Sequence, residues 1–268
     1  MSVPAPARAR RCPSRLAYDR CGRGEPLVLL HPLGADRAVW RPLLELLGAR
    51  RELLCVDLPG FGESPPLPKD PPPTPRRLAL AVAELLAQLS LEGGRAHVAG
   101  NSLGGWVALE LAAAGHAASV TAIAPAGLWT RPLAPKPQLA RSLARAAGSL
   151  LEPAMASGAL RRLALASVVA HPERVPAEQA AALVRAYARA PGFVEVNRAM
   201  RAGTFAELAA IRVPVTLVWP QRDRLIARPR RLPGNVRETV LADCGHVPMW
   251  DDPPAVARAL LAGSASRR

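Results

Sequence analysis

Ser102, Asp223 and His246 are the residues of this chain whose types and settings suit them to act together. Ser102 is the centre of Gly100-Asn101-Ser102-Leu103-Gly104, where the apolar run "RAHVAG" meets the small-residue pattern "LGGWVALELAAAG". A serine hydroxyl is a poor nucleophile until a neutral imidazole takes its proton. A carboxylate must then hold that imidazole in one tautomer and stabilise its charged form. His246 stands in "LADCGHVPMW", and Asp223 lies just past the apolar run "VPVTLVWP". Upstream, "LVLLHPLG" sets His31 and a loop after another apolar run, where the Leu33 N–H can join that of Leu103 around a developing oxyanion. The five-residue motif alone also fits a glycine-rich turn with an incidental serine. The order Ser, Asp, His is what favours a nucleophile presented on a strand–turn–helix.

That chemistry needs a scaffold that brings distant loops to one edge. Strands are expected around "SRLAYDRC", at Pro26 to His31, and at "ELLCVDL", "RAHVAG", "ASVTAIAPAG", "VPVTLVWP" and "RETVLAD". Helical spacing is read in "ADRAVWRPLLELLGA", "RRLALAVAELLAQL", the run after Ser102 and "PPAVARALLAG", with a short element at "ARPRRL". Several of the strands are continuous apolar runs, which predicts a mostly parallel α/β sheet covered on both faces by helices. From about Leu128 to Glu207 only helical segments are found. The expected organisation is a flexible segment over 1–13, an α/β core over 14–127 and 208–268, and an all-helical insertion over 128–207.

Composition narrows the function. The chain has 268 residues and a net charge of +14. Clustered basic charge would suit nucleic-acid phosphates. Here the arginines are scattered, only Lys69 and Lys136 are lysines, and no aromatics are interleaved for base stacking, so no nucleic-acid role is expected. Cys12, Cys21, Cys55 and Cys244 lack metal-ligand spacing. The N-terminus has no apolar h-region, and no run is long enough to span a bilayer. The expectation is a cytoplasmic monomer or homodimer with no membrane partner, acting on a small molecule.

Five pieces in order, "HPLG", "DLPGFGES", "GNSLGG", "RVPVTLVWPQRD" and "GHVPMWDDP", span Leu27 to about Pro254. With them the chain resembles the α/β-hydrolase superfamily, in particular its carboxylesterase-like serine hydrolases with a helical cap. The resemblance implies Ser102 as nucleophile, His246 as base, Asp223 as acid, and the Leu33 and Leu103 N–H groups as oxyanion donors. It implies no metal or organic cofactor. His31, Asn101, Trp129 and Val247 are the expected substrate-binding positions. Three segments depart from the pattern: His31-Pro32 replaces His-Gly, Pro220 replaces a glycine, and the stretch from Asp223 to His246 is short, leaving room for a turn or two of helix.

The alternatives are weaker. Asp57 reads as a loop anchor, Asp243 as a strand end, and Asp251 and Asp252 as first-turn residues of the last helix. His97, His116 and His171 show no partner pattern, and Cys244 reads as packing. Trp129, Tyr187, Phe193 and Met200 suit either the insertion's own core or a pocket wall, and Arg185, Arg189, Arg198 and Arg201 suit solvated helix faces. A serine at the elbow points to acyl transfer and away from the aspartate-nucleophile epoxide hydrolases and haloalkane dehalogenases of the superfamily. The expected activity is cleavage of an ester or related acyl bond in a small, largely apolar substrate through an acyl-enzyme. Two other readings stay open: a C–C bond hydrolase of a diketone-type substrate, whose family tryptophan after the histidine is Val247 here, and a non-catalytic ligand-binding protein.

Overall fold

The computed structural model describes residues 10–11, 16–89, 91, 95–134 and 139–265. Among the described residues eight strands make one sheet: β1 (Arg10–Arg11), β2 (Ala17–Gly22), β3 (Glu25–Leu30), β4 (Arg51–Val56), β5 (Ala96–Asn101), β6 (Ala117–Ile123), β7 (Val215–Pro220) and β8 (Val236–Leu241). Their order is β1-β2-β4-β3-β5-β6-β7-β8. β2 pairs antiparallel with both β1 and β4, and all the other pairings are parallel. The reason is legible in β3, whose Leu27, Val28, Leu29 and Leu30 are all buried. A strand with no polar face fits only where both faces of the sheet are covered.

The cover comes from helices on the crossovers. α1 (Leu44–Gly48) follows β3, α2 (Pro75–Gln88) follows β4, and α3 (Leu103–Ala113) follows β5. α2 starts with Pro75 in its first turn and the Thr74 hydroxyl accepting from the Arg77 N–H, a placement that satisfies a backbone group the helix leaves open. Between β6 and β7 run α4 (Leu139–Ala147), α5 (Leu151–Ala156), α6 (Gly158–Leu165), α7 (Ala177–Arg189) and α8 (Phe193–Ala202). α9 (Pro253–Gly263) closes the fold. Buried clusters lie on both sides of the sheet: Leu30, Val98, Trp106 and Leu217 belong to one, and Leu29, Trp40, Val218 and Leu260 to the other. The helices between β6 and β7 feed both, Phe193 and Met200 the first, Met155 and Leu165 the second.

Three expectations are corrected. The helix expected over Ala35–Ala49 is a 3-10 turn at Arg37–Leu43 followed by the short α1, because Pro42 inside it has no N–H to donate. No helix forms at "ARPRRL" or elsewhere between Asp223 and β8; Pro229 and Pro233 each disfavour helical backbone at the residue before them. Within the segment 1–13, Arg10–Arg11 pair with Ala17 and Tyr18. Residues 1–9, 12 and 13, Cys12 among them, lie outside the described residues. Among the described residues no helix is long and apolar enough to cross a membrane.

Candidate active site

Ser102 occupies the single-residue turn between β5 and α3, with φ 55° and ψ −113°. A non-glycine residue held there costs about 1–3 kcal/mol and persists only where its surroundings fix it. Its N–H donates to the Ile123 carbonyl at 2.9 Å, and its own carbonyl accepts from Trp106 and Ala126, both at 3.0 Å. Gly104 explains how close the neighbouring loop comes: a Cβ there would drive into the main chain of Leu30 and His31. The end of β3 is thus pressed against the first turn of α3.

This contact sets the loop after β3 beside Leu103. Within it, Ala35 N–H closes a turn onto the Pro32 carbonyl at 3.1 Å, and Asp36 caps the following 3-10 turn through the Ala38 N–H. The amides of Leu33 and Leu103 donate to no acceptor among the described residues. Two backbone donors left open on neighbouring loops are what an oxyanion requires.

The imidazole of His246 comes from the loop between β8 and α9. Its Nδ1 lies 2.7 Å from Asp223 Oδ2, and the two side chains are 5% and 3% exposed. With the Nδ1 proton donated to the carboxylate, Nε2 is left as the basic nitrogen. Asp223 Oδ1 also accepts from the Leu225 and Ile226 amides at 2.7 and 3.1 Å, so the carboxylate is fixed by its own turn. The short Asp223–His246 stretch reaches without a helix. β7 and β8 pair up to Pro220–Leu241, and Arg222 N–H then donates to the Cys244 carbonyl at 2.8 Å. Asn101, directly before Ser102, ties the elbow to this loop: its Nδ2 donates to the His246 carbonyl at 3.0 Å and to the Ile123 carbonyl at 3.1 Å.

Ser102, Leu33, Leu103, Asp223 and His246 therefore come to one edge of the sheet. The four expected substrate contacts have other engagements. His31 is sealed, donating from Nδ1 to the Pro32 carbonyl at 2.9 Å and accepting the Leu58 N–H on Nε2 at 2.9 Å. With both nitrogens spent it clamps two loops and has no free atom for substrate. Burial lowers its pKa, against the opposing pull of Asp57 and Asp36, and favours the neutral ring this pattern needs. The Asn101 Nδ2 is likewise spent on backbone carbonyls, while its Oδ1 is buried without a partner among the described residues. Trp129 donates from Nε1 to the Gly203 carbonyl at 2.8 Å and packs edge-on against Trp106. Val247 is buried and donates its N–H to the Val168 carbonyl at 2.8 Å.

The rival acids have their own partners. Asp57 is sealed against the Arg37 guanidinium and also accepts from the Arg37 and Glu63 amides at 2.7 and 2.9 Å. Asp243 pairs at the surface with Arg222 at 2.7 Å and with His171 at 2.8 Å, a partner for His171 that spacing gave no sign of. His97 meets the Ser119 hydroxyl at 2.8 Å. Burial pushes the Cys244 thiol up to about 12, with Asp251 adding to the shift, so the thiol stays protonated and unreactive. Asp252 caps α9 through the Ala255 N–H, but Asp251 does not, and sequence reasoning missed its role. Among the described residues no group of three His, Cys, Asp or Glu side chains could hold a metal ion.

Comparisons agree with this architecture. A sequence model of the alpha/beta hydrolase family matches residues 27–259. The epoxide hydrolase EphH of Mycobacterium tuberculosis is 35% identical over 171 residues, 59% of this chain and 80% of that protein. A pimeloyl-[acyl-carrier protein] methyl ester esterase of Aeromonas salmonicida is 41% identical over 97 residues, 36% of this chain; the alignment spans only 35% of the esterase. Among solved structures, the enol-lactonase from Burkholderia xenovorans superposes with a TM-score of 0.72 at 23% identity, covering 92% of this chain and 95% of that one. That likeness is one of fold.

Proposed function

Because this chain belongs to the alpha/beta hydrolase family, a family of hydrolases, we propose that it is a serine hydrolase. Its substrate is a small, largely apolar ester or related acyl compound, with the helices between β6 and β7 as a cap over the site. One observation carries the reading: a serine in a strained strand-to-helix turn lies beside a buried His246–Asp223 pair, and Asn101 bonds the two loops directly.

In the proposed reaction Ser102 Oγ attacks the acyl carbon as its proton passes to His246 Nε2. The imidazolium is held by Asp223, and the carbonyl oxygen, now negative, is received by the Leu33 and Leu103 amides. Collapse of the tetrahedral state expels the leaving alcohol, which takes the proton from His246, and leaves the acyl group on Ser102. Water then gives its proton to Nε2 and its hydroxide to the acyl carbon, releasing the acid and restoring the serine. The kinship with EphH raises epoxide opening as a rival. In this superfamily that reaction runs through an aspartate nucleophile, and the elbow residue here is Ser102. The relative named for methyl ester cleavage points the same way.

Intact-protein mass spectrometry after exposure to a fluorophosphonate tests the proposal. The expected result is one phosphonyl adduct on the wild type and none on a folded Ser102→Ala variant. A folded wild type that takes no label would overturn it and favour a ligand-binding role on the hydrolase scaffold.

A further inference from the structure

The acid five residues after His246 is not a helix cap. Asp251 is 5% exposed, and three main-chain N–H groups converge on its carboxylate. Oδ2 accepts from Gly245 at 2.7 Å and from Ala170 at 3.1 Å, and Oδ1 accepts from His171 at 2.8 Å. One donor thus belongs to the residue next to His246, and the other two to the stretch between α6 and α7. The same stretch is stitched to the histidine loop elsewhere. Val247 N–H donates to the Val168 carbonyl at 2.8 Å, Arg174 Nη1 donates to the Asp251 carbonyl at 3.1 Å, and His171 bonds Asp243 at 2.8 Å. Gly245 is pressed against that segment: a Cβ on it would lie 2.7 Å from the Ala170 nitrogen and 2.9 Å from the Val169 carbonyl carbon.

We propose that Asp251 is a positioning residue for His246, a buried anion that locks the Gly245 peptide to the 168–171 segment and so fixes where the imidazole stands relative to Ser102. The proposal rests on His246 being the base. An isolated carboxylate in such a place would be costly, and three N–H donors, each a charge-assisted bond, offset that cost. The residue type follows from the donor set. Three donors facing one side chain need acceptors only, and an amide would turn an NH2 group against a backbone N–H. Asn101 and Asp223 hold the histidine from the sheet side, and Asp251 holds it from the side of the helical segment. A shift of residues 168–171 would therefore be felt at Gly245, which makes this stretch the fixed end of the helical insertion.

The test compares Asp251→Asn with Asp252→Ala, which removes the α9 cap and touches no group of the histidine loop. The readouts are the fluorophosphonate labelling rate of Ser102 and the pH profile of kcat/KM on p-nitrophenyl butyrate. D251N is expected to label roughly 10- to 100-fold more slowly, the scale of loss when an outer-shell orienting partner is removed. It should also lower kcat more than it raises KM, and shift the acid limb of the profile, while D252A labels at the wild-type rate. Asp251→Glu keeps the anion and should recover most of the rate; if D251N does not fold, D251E against D252A carries the comparison, with a rate below that of D252A expected. A D251N rate equal to that of D252A, whatever its melting temperature, would overturn the proposal. Wild type that takes no label would instead sink the hydrolase reading. The clamp is then read by amide exchange: joint loss of protection at Gly245, Ala170 and His171 in D251N supports it, and unchanged exchange refutes it.

Discussion

Helices α3 and α4 are of similar length, eleven and nine residues, and are built on opposite plans. In α3, nine residues from Leu103 to Ala112 are buried, on every side of the helix. In α4 the one buried residue is an arginine, while Leu139 and Leu143 stand 68% and 63% exposed. Arg141 reaches past its own helix to donate to the Tyr187 carbonyl at 3.1 Å and the Ala190 carbonyl at 2.6 Å, with its guanidinium 5.1 Å from the Phe193 ring. The core is held by apolar packing, so close at Gly104 that an added carbon would meet main chain. The helical segment, at this point, is held by one side chain reaching two carbonyls. On the proposed function, a nucleophile held in a strained turn would belong on the first kind of support, and a cap that admits substrate on the second.

The sharpest way to break the comparison is to add one carbon to the core. Gly104→Ala would place a methyl group where the Leu30 carbonyl now lies. Backbone cannot swing aside as a side chain can, so a loss of about 4 kcal/mol or more, or failure to fold, is expected in denaturant unfolding. A near-neutral result would mean that the β3–α3 contact is loose, and that the loop carrying the Leu33 N–H is not fixed by it.

His31→Leu is the next largest. It leaves the buried Leu58 N–H without its acceptor, which should cost about 1–3 kcal/mol near pH 7.5. It also removes a pH dependence with a defined sign. Burial holds the folded-state pKa of His31 below its ordinary 6.5. Its contribution is therefore fully present above pH 6.5 and falls as the unfolded chain takes up a proton below that value. Wild type should lose stability on acidification from pH 7.5 to 5.5 more steeply than His31→Leu does. Equal slopes would show that His31 titrates alike in both states.

The same contrast explains what was legible beforehand. β3, β5 and α3 announce themselves because both their faces are buried, and a continuous apolar run has few other places to go. Ser102 and Asp223 stood out as candidates because each follows such a run, whereas β8 before His246 is largely exposed and the histidine stood out by its glycine-bearing loop. The backbone engagements of His31 and of the Asn101 amide nitrogen were not legible, for a physical reason. A polar residue beside a reactive one can serve the substrate or the backbone, and which carbonyl or amide it meets depends on loops distant in sequence, Leu58 for one and His246 for the other. Asp251 was hidden likewise. Beside Asp252 and two prolines it reads as helix-start acidity, and its three donors come from residues 170, 171 and 245. In α4 the pattern itself misleads, since its leucines face outward and its arginine faces in.

Arg141→Met tests that inversion and should have the smallest global effect. The variant keeps the volume and apolar stem but strands the Tyr187 and Ala190 carbonyls. Each carbonyl can turn to water if α4 lifts, so the loss should appear as local opening rather than global unfolding. The expected change in the global midpoint corresponds to under about 0.5 kcal/mol, with proteolysis within 139–165 about tenfold faster, equivalent to about 1.4 kcal/mol of local opening. Labelling of Ser102 should continue, because the elbow and the His246–Asp223 pair hang from the sheet and from the 168–171 segment, not from α4. A global loss as large as that of His31→Leu would show instead that α4 is as integral to the core as α3, and the division between rigid support and yielding cover would fail.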